Sequence, residues 1–449
     1  MYAPFPISEA TPVAHPGPLP ASADAVVIGG GIAGVMTAWN LAQRGLRAVL
    51  VEKGRIAGEQ SSRNWGWIRQ QGRDPAELPI MIEAAAEWRR IAPTLDTDIG
   101  LRQTGVLYLA EKQAQIAAYE DWLTHARAHD LDTRLLGAAE VTALLPGATK
   151  RWQGGLWTAS DMRAEPWLAV PALARAAARD GVVIVENCAA RGIDVAAGRV
   201  AGVVTEQGRV AAPAVVVAGG AWSSLLLRRH GIAIPQLSVR ATAAATAPLP
   251  EVFAGGAVDD EFAFRRRADG GYTLAPADFH EMFIGPDAFR ALRRFLPQLA
   301  ADPFGTRYYP AAPRDYPDAW GTPRRWSEDT VSPFERMRVL NPAPNARKLR
   351  ELAARFQELY PALGPVALRT GWAGMIDTLP DVVPVLDRAE ALPGLVIATG
   401  LSGHGFGIGP GVGRVAAALV AGDDPGHDLH RFRLSRFSDG SRLELGPTL

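Results

Sequence analysis

Apolar and polar positions along this chain follow two periods in turn. Residues 25–28 (AVVI) form an unbroken apolar run rich in β-branched side chains, as a strand buried on both faces requires. A glycine turn follows, then a helix to about Arg44 with Gly45 as its C-cap. Residues 48–51 (AVLV) repeat the buried-strand pattern. In residues 75–95, Ile80, Ala84, Trp88 and Ile91 recur three and four apart and predict an amphipathic helix. Further helices are expected at 113–128, 138–145, 166–180 (despite Pro171), 346–359 and 410–420. Strands are expected at 101–110 and 154–157, in a meander over 182–211 joined by tight turns, and at 214–218, 237–245, 271–275 and 395–399.

Two stretches break the pattern. Residues 54–73 (GRIAGEQSSRNWGWIRQQGR) are polar and aperiodic, and too long for a passive connection, so a functional loop is expected. Between about 235 and 365, proline, arginine and aromatic residues rise. Residues 306–344 are the least regular, with Tyr308, Tyr309, Tyr316, Trp320 and Trp326, and predict a long loop over a pocket in a second domain. No internal repeat is visible.

Composition narrows the class. A chain of 449 residues suits two or three domains, and 48% apolar with 21% charged residues is ordinary for a globular protein. Lysine plus arginine equals aspartate plus glutamate at 47 each, which gives no reason to expect nucleic acid or an anionic membrane as partner. The single cysteine, Cys188, fits a reducing compartment and reads as a core filler, and the eight histidines are scattered, with no metal-ligand cluster. The first twenty-one residues are proline-rich, lack the regions of a secretory signal and are expected to be a flexible leader. No run of eighteen apolar residues predicts a transmembrane helix.

The chain is organised around residues 25–53. Gly29, Gly31 and Gly34 stand at G-x-G-x-x-G spacing between the first strand and its helix. The first glycine permits the tight turn, the second lets backbone approach a pyrophosphate, and the third lets helix and strand pack closely. Glu52 ends the second strand, eighteen residues after Gly34, where a carboxylate can accept hydrogen bonds from a ribose. A second glycine cluster, seven glycines within 399–413, precedes a helix and would let backbone approach a flat cofactor. The N–H groups of that helix would aim at it.

Three stretches together resemble the D-amino acid oxidase superfamily of FAD enzymes, in particular its sarcosine oxidase, glycine oxidase and D-amino acid dehydrogenase group. They are GGGIAG with Glu52, residues 215–235 (VVVAGGAWSSLLLRRHGIAIP) and residues 392–422 (LPGLVIATGLSGHGFGIGPGVGRVAAALVAG). The resemblance implies an α/β, two-domain flavoprotein: a discontinuous Rossmann-like FAD domain (22–95, 160–236 and 366–435), a mixed-sheet substrate domain (96–159 and 237–365), the leader 1–21 and a tail 436–449.

It also implies site residues. Around the pyrophosphate these are Gly29, Gly31, Ile32, Ala33 and Gly34, with Glu52 and Lys53 toward the ribose. Ser61, Ser62, Arg63 and Asn64 would lie along the pyrophosphate and flavin, with Gly219, Trp222 and Gly374 completing the site. Gly403, His404, Gly405, Phe406 and Gly407 would face the flavin, His404 either catalytically or as a loop anchor. The spacing Arg63-Asn64-x-x-x-Ile68-Arg69 resembles a segment of the sarcosine oxidase β subunit, which implies that Arg69 binds a substrate carboxylate. Arg is suited to that by its bidentate fork. Trp65 and Trp67 would wall the flavin or simply pack. Arg163, Arg240, Arg265, Arg307 and Arg336 are weaker candidates for holding substrate.

Two departures matter. Gly371 stands where some sarcosine oxidases attach FAD through cysteine, and the loop after Glu52 has no histidine, so non-covalent FAD is expected. Gly407 replaces a family lysine, and none stands near Tyr272 and Thr273, where monomeric sarcosine oxidase has its oxygen-activating one. The resulting expectation is FAD-dependent oxidation of the C–N bond of an amino acid or secondary amine. Electrons would pass to O2, or in a dehydrogenase to a quinone or carrier. A flavoprotein subunit needing a partner chain is the other alternative. The oligomeric state is left open, and the expected location is the cytoplasm, or the inner face of a membrane as a peripheral protein.

Overall fold

The computed structural model of the protein describes residues 2–302 and 305–446. Met1 of the leader, residues 303–304 of the expected substrate domain and residues 447–449 of the tail lie outside the described residues.

The first strand, β1 (Ala25–Ile28), is central in a six-stranded sheet. It runs parallel to β2 (Ala48–Val51) on one side and to Val215–Val217 on the other. Val183–Val185 extends the sheet beyond β2, and Leu395–Thr399 extends it beyond Val215–Val217. An antiparallel edge strand, Val385–Arg388, completes it. The apolar runs are unbroken because both faces are covered. Ala25, Val27 and Leu50 pack under helix α1 (Ile32–Gln43) and the C-terminal helix Gly405–Ala421. Val26, Ile28 and Val49 pack against the 190–211 meander and the helix Ser223–Arg229.

The C-terminal helix begins at Gly405, five residues before the expected start. Its later glycines therefore serve packing and are not part of a loop. A Cβ on Gly413 would lie 2.4 Å from the Met36 Cβ on α1, and one on Gly409 would lie 2.3 Å from the Ile32 Cγ1.

The second large sheet is mixed and joins Val106–Ala110 and Gly154–Thr158 to strands from 237–309. Its longest pairing is Leu237–Thr246 with Leu368–Thr378, antiparallel, with Ala241 opposite Gly374. Residues 366–378 were expected in the FAD domain, but their strand pairing puts them in this sheet. The chain rejoins the parallel sheet only at Val385.

The leader is not free, contrary to expectation. Ala3 N–H donates to the Arg369 carbonyl (2.9 Å), and the Phe5 ring packs 5.4 Å from Trp372 and 6.0 Å from Trp167. Arg55 donates to the carbonyls of Thr11 (2.6 Å) and Glu9 (2.9 Å), while the Glu186 carboxylate accepts from Ala14 and His15 N–H. A proline-rich segment cannot pair its own backbone, and here distant side chains do so instead.

Among the described residues, no helix is long and apolar enough to cross a membrane, and no group of three or more His, Cys, Asp or Glu could hold a metal ion.

Candidate active site

One cavity of about 1220 Å³ is lined by residues of both sheets, among them Ile28 and Val51 of the parallel sheet and Leu237 and Val239 of the mixed one. This exceeds the roughly 300–1,000 Å³ of ordinary ligand pockets. Gly29, Gly31, Ile32, Ala33, Glu52, Lys53, Ser61, Arg63 and Asn64 line it, as do Arg69, Gly219, Trp222, Gly374 and residues 403–406. The three remaining candidates, Gly34, Ser62 and Gly407, stand behind the wall. Gly34 packs on Gly29, Ser62 is fully buried with its Oγ bonded to the Glu59 carbonyl (3.2 Å), and Gly407 packs on Ile68.

The turn at Gly29 (φ +115°) delivers the N-terminus of α1 to this cavity. The positive end of a helix favours an anionic group there. The Ser61 Oγ accepts from Ile32 N–H (2.9 Å), so the four-residue helix α2 (Gln60–Arg63) is tied to the start of α1. Glu52 is held by N–H groups of Gly30 (2.6 Å) and Gly54 (2.7 Å), and burial pushes its carboxyl up to about 7 despite the opposing pull of Lys53. Lys53 itself bonds Glu59 (2.6 Å) and the carbonyls of Met337 and Arg338, and it lies 4.4 Å from the Trp222 ring.

The 60–73 segment supplies the opposite wall. The Arg63 guanidinium is spent on structure: it donates to the Gly58 carbonyl (2.7 Å) and Asn341 Oδ1 (2.9 Å) and stacks on Phe5 at 4.5 Å. Burial lowers its pKa to about 10. Asn64 Oδ1 accepts from Gly66 N–H (2.8 Å) and shapes the turn into strand β3 (Trp67–Ile68). Arg69 follows, bonded to the Gln71 carbonyl, with its guanidinium 5.5 Å from the Tyr108 ring. Trp65 and Trp67 meet edge to face at 5.3 Å, and both line the cavity.

His404 caps the C-terminal helix, is buried and lines the cavity. Its Nδ1 lies 3.9 Å from the Glu77 carboxylate, and its carbonyl accepts from Arg73 (3.0 Å). The Phe406 ring packs 5.2 Å from Trp88.

The weaker arginine candidates are not among the lining residues. Arg265 forks onto Glu165 (2.9 and 3.2 Å) and Arg240 onto Glu281 (2.9 and 2.8 Å). Arg163 is buried in the small sheet beside Trp67, and Arg307 and Arg336 are exposed. Sequence reasoning missed Arg55 and Arg73, both of which line the cavity. The one available signal was the Arg73–Glu77 spacing of four residues.

The family described as FAD dependent oxidoreductase matches residues 24–419. The chain belongs to this family of FAD-dependent oxidoreductases. FAD fits the donor set: the helix N-terminus at the glycine turn, the Glu52 carboxylate at the end of the adjacent strand, and a second helix N-terminus at His404. The solved structure of L-amino acid deaminase from Proteus myxofaciens in complex with anthranilate superposes with a TM-score of 0.90 at 30% identity, covering 96% of this chain and 97% of that one. Sarcosine oxidase subunit beta from Rhizobium meliloti (strain 1021) is 26% identical over 428 residues, covering 94% of this chain and 90% of that protein. Mitochondrial sarcosine dehydrogenase from Homo sapiens is 25% identical over 431 residues, 94% of this chain but 42% of its own length. The chain thus spans about two fifths of that protein's length.

Proposed function

We propose that this flavoprotein oxidises the C–N bond of a carboxylated amine, an amino acid or an N-substituted amino acid, and passes the electrons to O2. The observation that carries the reading is one cavity shared by the dinucleotide cradle, the His404 loop and Arg69. The names of the relatives, deaminase, sarcosine oxidase subunit and sarcosine dehydrogenase, support the same substrate chemistry.

FAD, when bound, supplies the hydride acceptor. The chain's own work is placement. Arg69 holds the substrate carboxylate by its fork. Trp65, Trp67 and Tyr108 wall the substrate and exclude water, so the Arg69–carboxylate pair acts in a low-dielectric space. The helix N-terminus at His404 would present positive dipole ends to the bound cofactor and favour negative charge on it. The substrate amine enters neutral, and the imine product hydrolyses after release. No side chain need act as general base.

The test is anaerobic bleaching of the purified yellow protein with D- and L-amino acids, N-methyl amino acids, cyclic imino acids and simple amines, followed by air. Bleaching by carboxylated amines alone supports the substrate class, and fast recovery in air supports O2 as acceptor. Slow recovery in air would reassign the acceptor to a carrier. A flavin bleached by dithionite but by nothing on the panel would overturn the substrate class, and the search would turn to a partner chain.

A further inference from the structure

Arg73 sends its three nitrogens to three parts of the fold. Its Nε donates to the Arg69 carbonyl (3.2 Å) and its Nη2 to the His404 carbonyl (3.0 Å), while its Nη1 lies 3.7 Å from the Glu77 carboxylate. The side chain is 2% exposed and that of Glu77 is 1% exposed. Trp122 Nε1 donates to the Arg73 carbonyl (3.0 Å), so the arginine's own backbone is fixed.

The contact it bridges is unusually close. A Cβ on Gly407 would lie 3.2 Å from the Ile68 Cα and 3.4 Å from Arg73 Nη2. The backbone after His404 therefore lies directly on the end of the strand that leads into Arg69, with the Arg73 guanidinium at the seam.

We propose that Arg73 is a positioning residue whose single guanidinium holds Arg69 and His404 in one frame, setting the distance between the carboxylate anchor and the loop facing the cofactor. The inference rests on the reading of Arg69 as carboxylate anchor. Glu77, when ionised, compensates the buried cation beside it. Lysine cannot replace arginine here, because one ammonium on a flexible stem cannot serve both loops in fixed geometry.

The test uses the FAD-loaded protein and two probes, anthranilate and its amide, anthranilamide, which lacks the carboxylate. Binding of each is read from the flavin absorbance change in the parent, Arg73→Lys and Arg69→Ala. Arg73→Lys should bind anthranilate at least tenfold more weakly and anthranilamide within twofold of the parent. Substrate KM should rise with a smaller change in kcat. The double variant Arg73→Gln/Glu77→Gln removes both buried charges, leaves no orphan ion, and carries the same expectation should Arg73→Lys fail to fold.

Anthranilate binding within twofold of the parent in the Arg73 variants, with Arg69→Ala tenfold weaker, overturns the brace. Equal weakening of both probes in the Arg73 variants also overturns it, as general loosening. Unchanged anthranilate binding in Arg69→Ala, or none in the parent, instead fails the carboxylate reading on which the brace rests.

Discussion

Gly34 approaches Gly29 so closely that a Cβ on Gly34 would lie 1.9 Å from the Gly29 carbonyl oxygen. This contact sets how α1 leaves the sheet and where its N-terminus points. Gly34→Ala must therefore push helix and turn apart. The expected result is loss of most bound FAD and destabilisation by about 1–3 kcal/mol, the usual cost of overpacking. Flavin absorbance per protein and the thermal midpoint check both. A Gly34→Ala protein that keeps full FAD would show that the turn tolerates displacement.

The ordered leader carries its own prediction. Arg63 and Arg55 line the cavity, and both hold leader carbonyls, at Ile7 for one and at Glu9 and Thr11 for the other. Deleting residues 2–15 should strip these contacts from the two arginines and weaken FAD by at least tenfold, measured by fluorescence on flavin release. Unchanged FAD affinity would make the leader a passive covering.

Stability should fall as pH rises across the neutral range. Burial raises the Glu77 carboxyl to about 7, against the opposing pull of Arg73, and raises Asp161 to about 7 as well. The folded protein therefore holds protons that the unfolded chain releases near pH 4. Their stabilisation is full below the unfolded pKa and is lost as pH rises through 7. Arg69, Asp74 and Arg431 also act on Glu77, and His404 lies beside it. Calorimetry of the FAD-loaded protein should show the thermal midpoint declining between pH 5 and 8, less steeply in Glu77→Gln. A flat wild-type profile would refute this.

The flavin should leave intact on acid precipitation. A Cβ on Gly371 would lie 2.6 Å from a Leu349 methyl, and Gly371 is not a lining residue. Cys188 is buried and is not a lining residue, its thiol pushed up to about 11 by burial. Precipitated protein should be colourless and the supernatant yellow; yellow in the pellet would mean a covalent link.

The parts legible in the sequence are those set by neighbours along the chain. The strand AVVI, the glycine turn, α1 and Glu52 are one local unit, and its chemistry is written in spacing. The buried C-terminal strand and the amphipathic helix Ala346–Leu359 were legible for the same reason. The pairing of residues 368–378 was not, because a strand's apolar pattern does not name its partner.

The leader and Arg73 show the same limit more sharply. Proline-rich composition predicts that a segment cannot pair its own backbone, and it is silent on side chains elsewhere that satisfy it. Arg55 and Glu186 do so from 44 to 172 positions away. Sequence alone thus determined the dinucleotide unit, since local sterics and periodicity decide it, and the resemblance of three stretches pointed to the FAD family. Only the tertiary structure decided which arginines line the cavity and which distant groups they meet. That choice depends on contacts such as Arg73 to His404, which span 331 positions of chain, and on burial that no local pattern records.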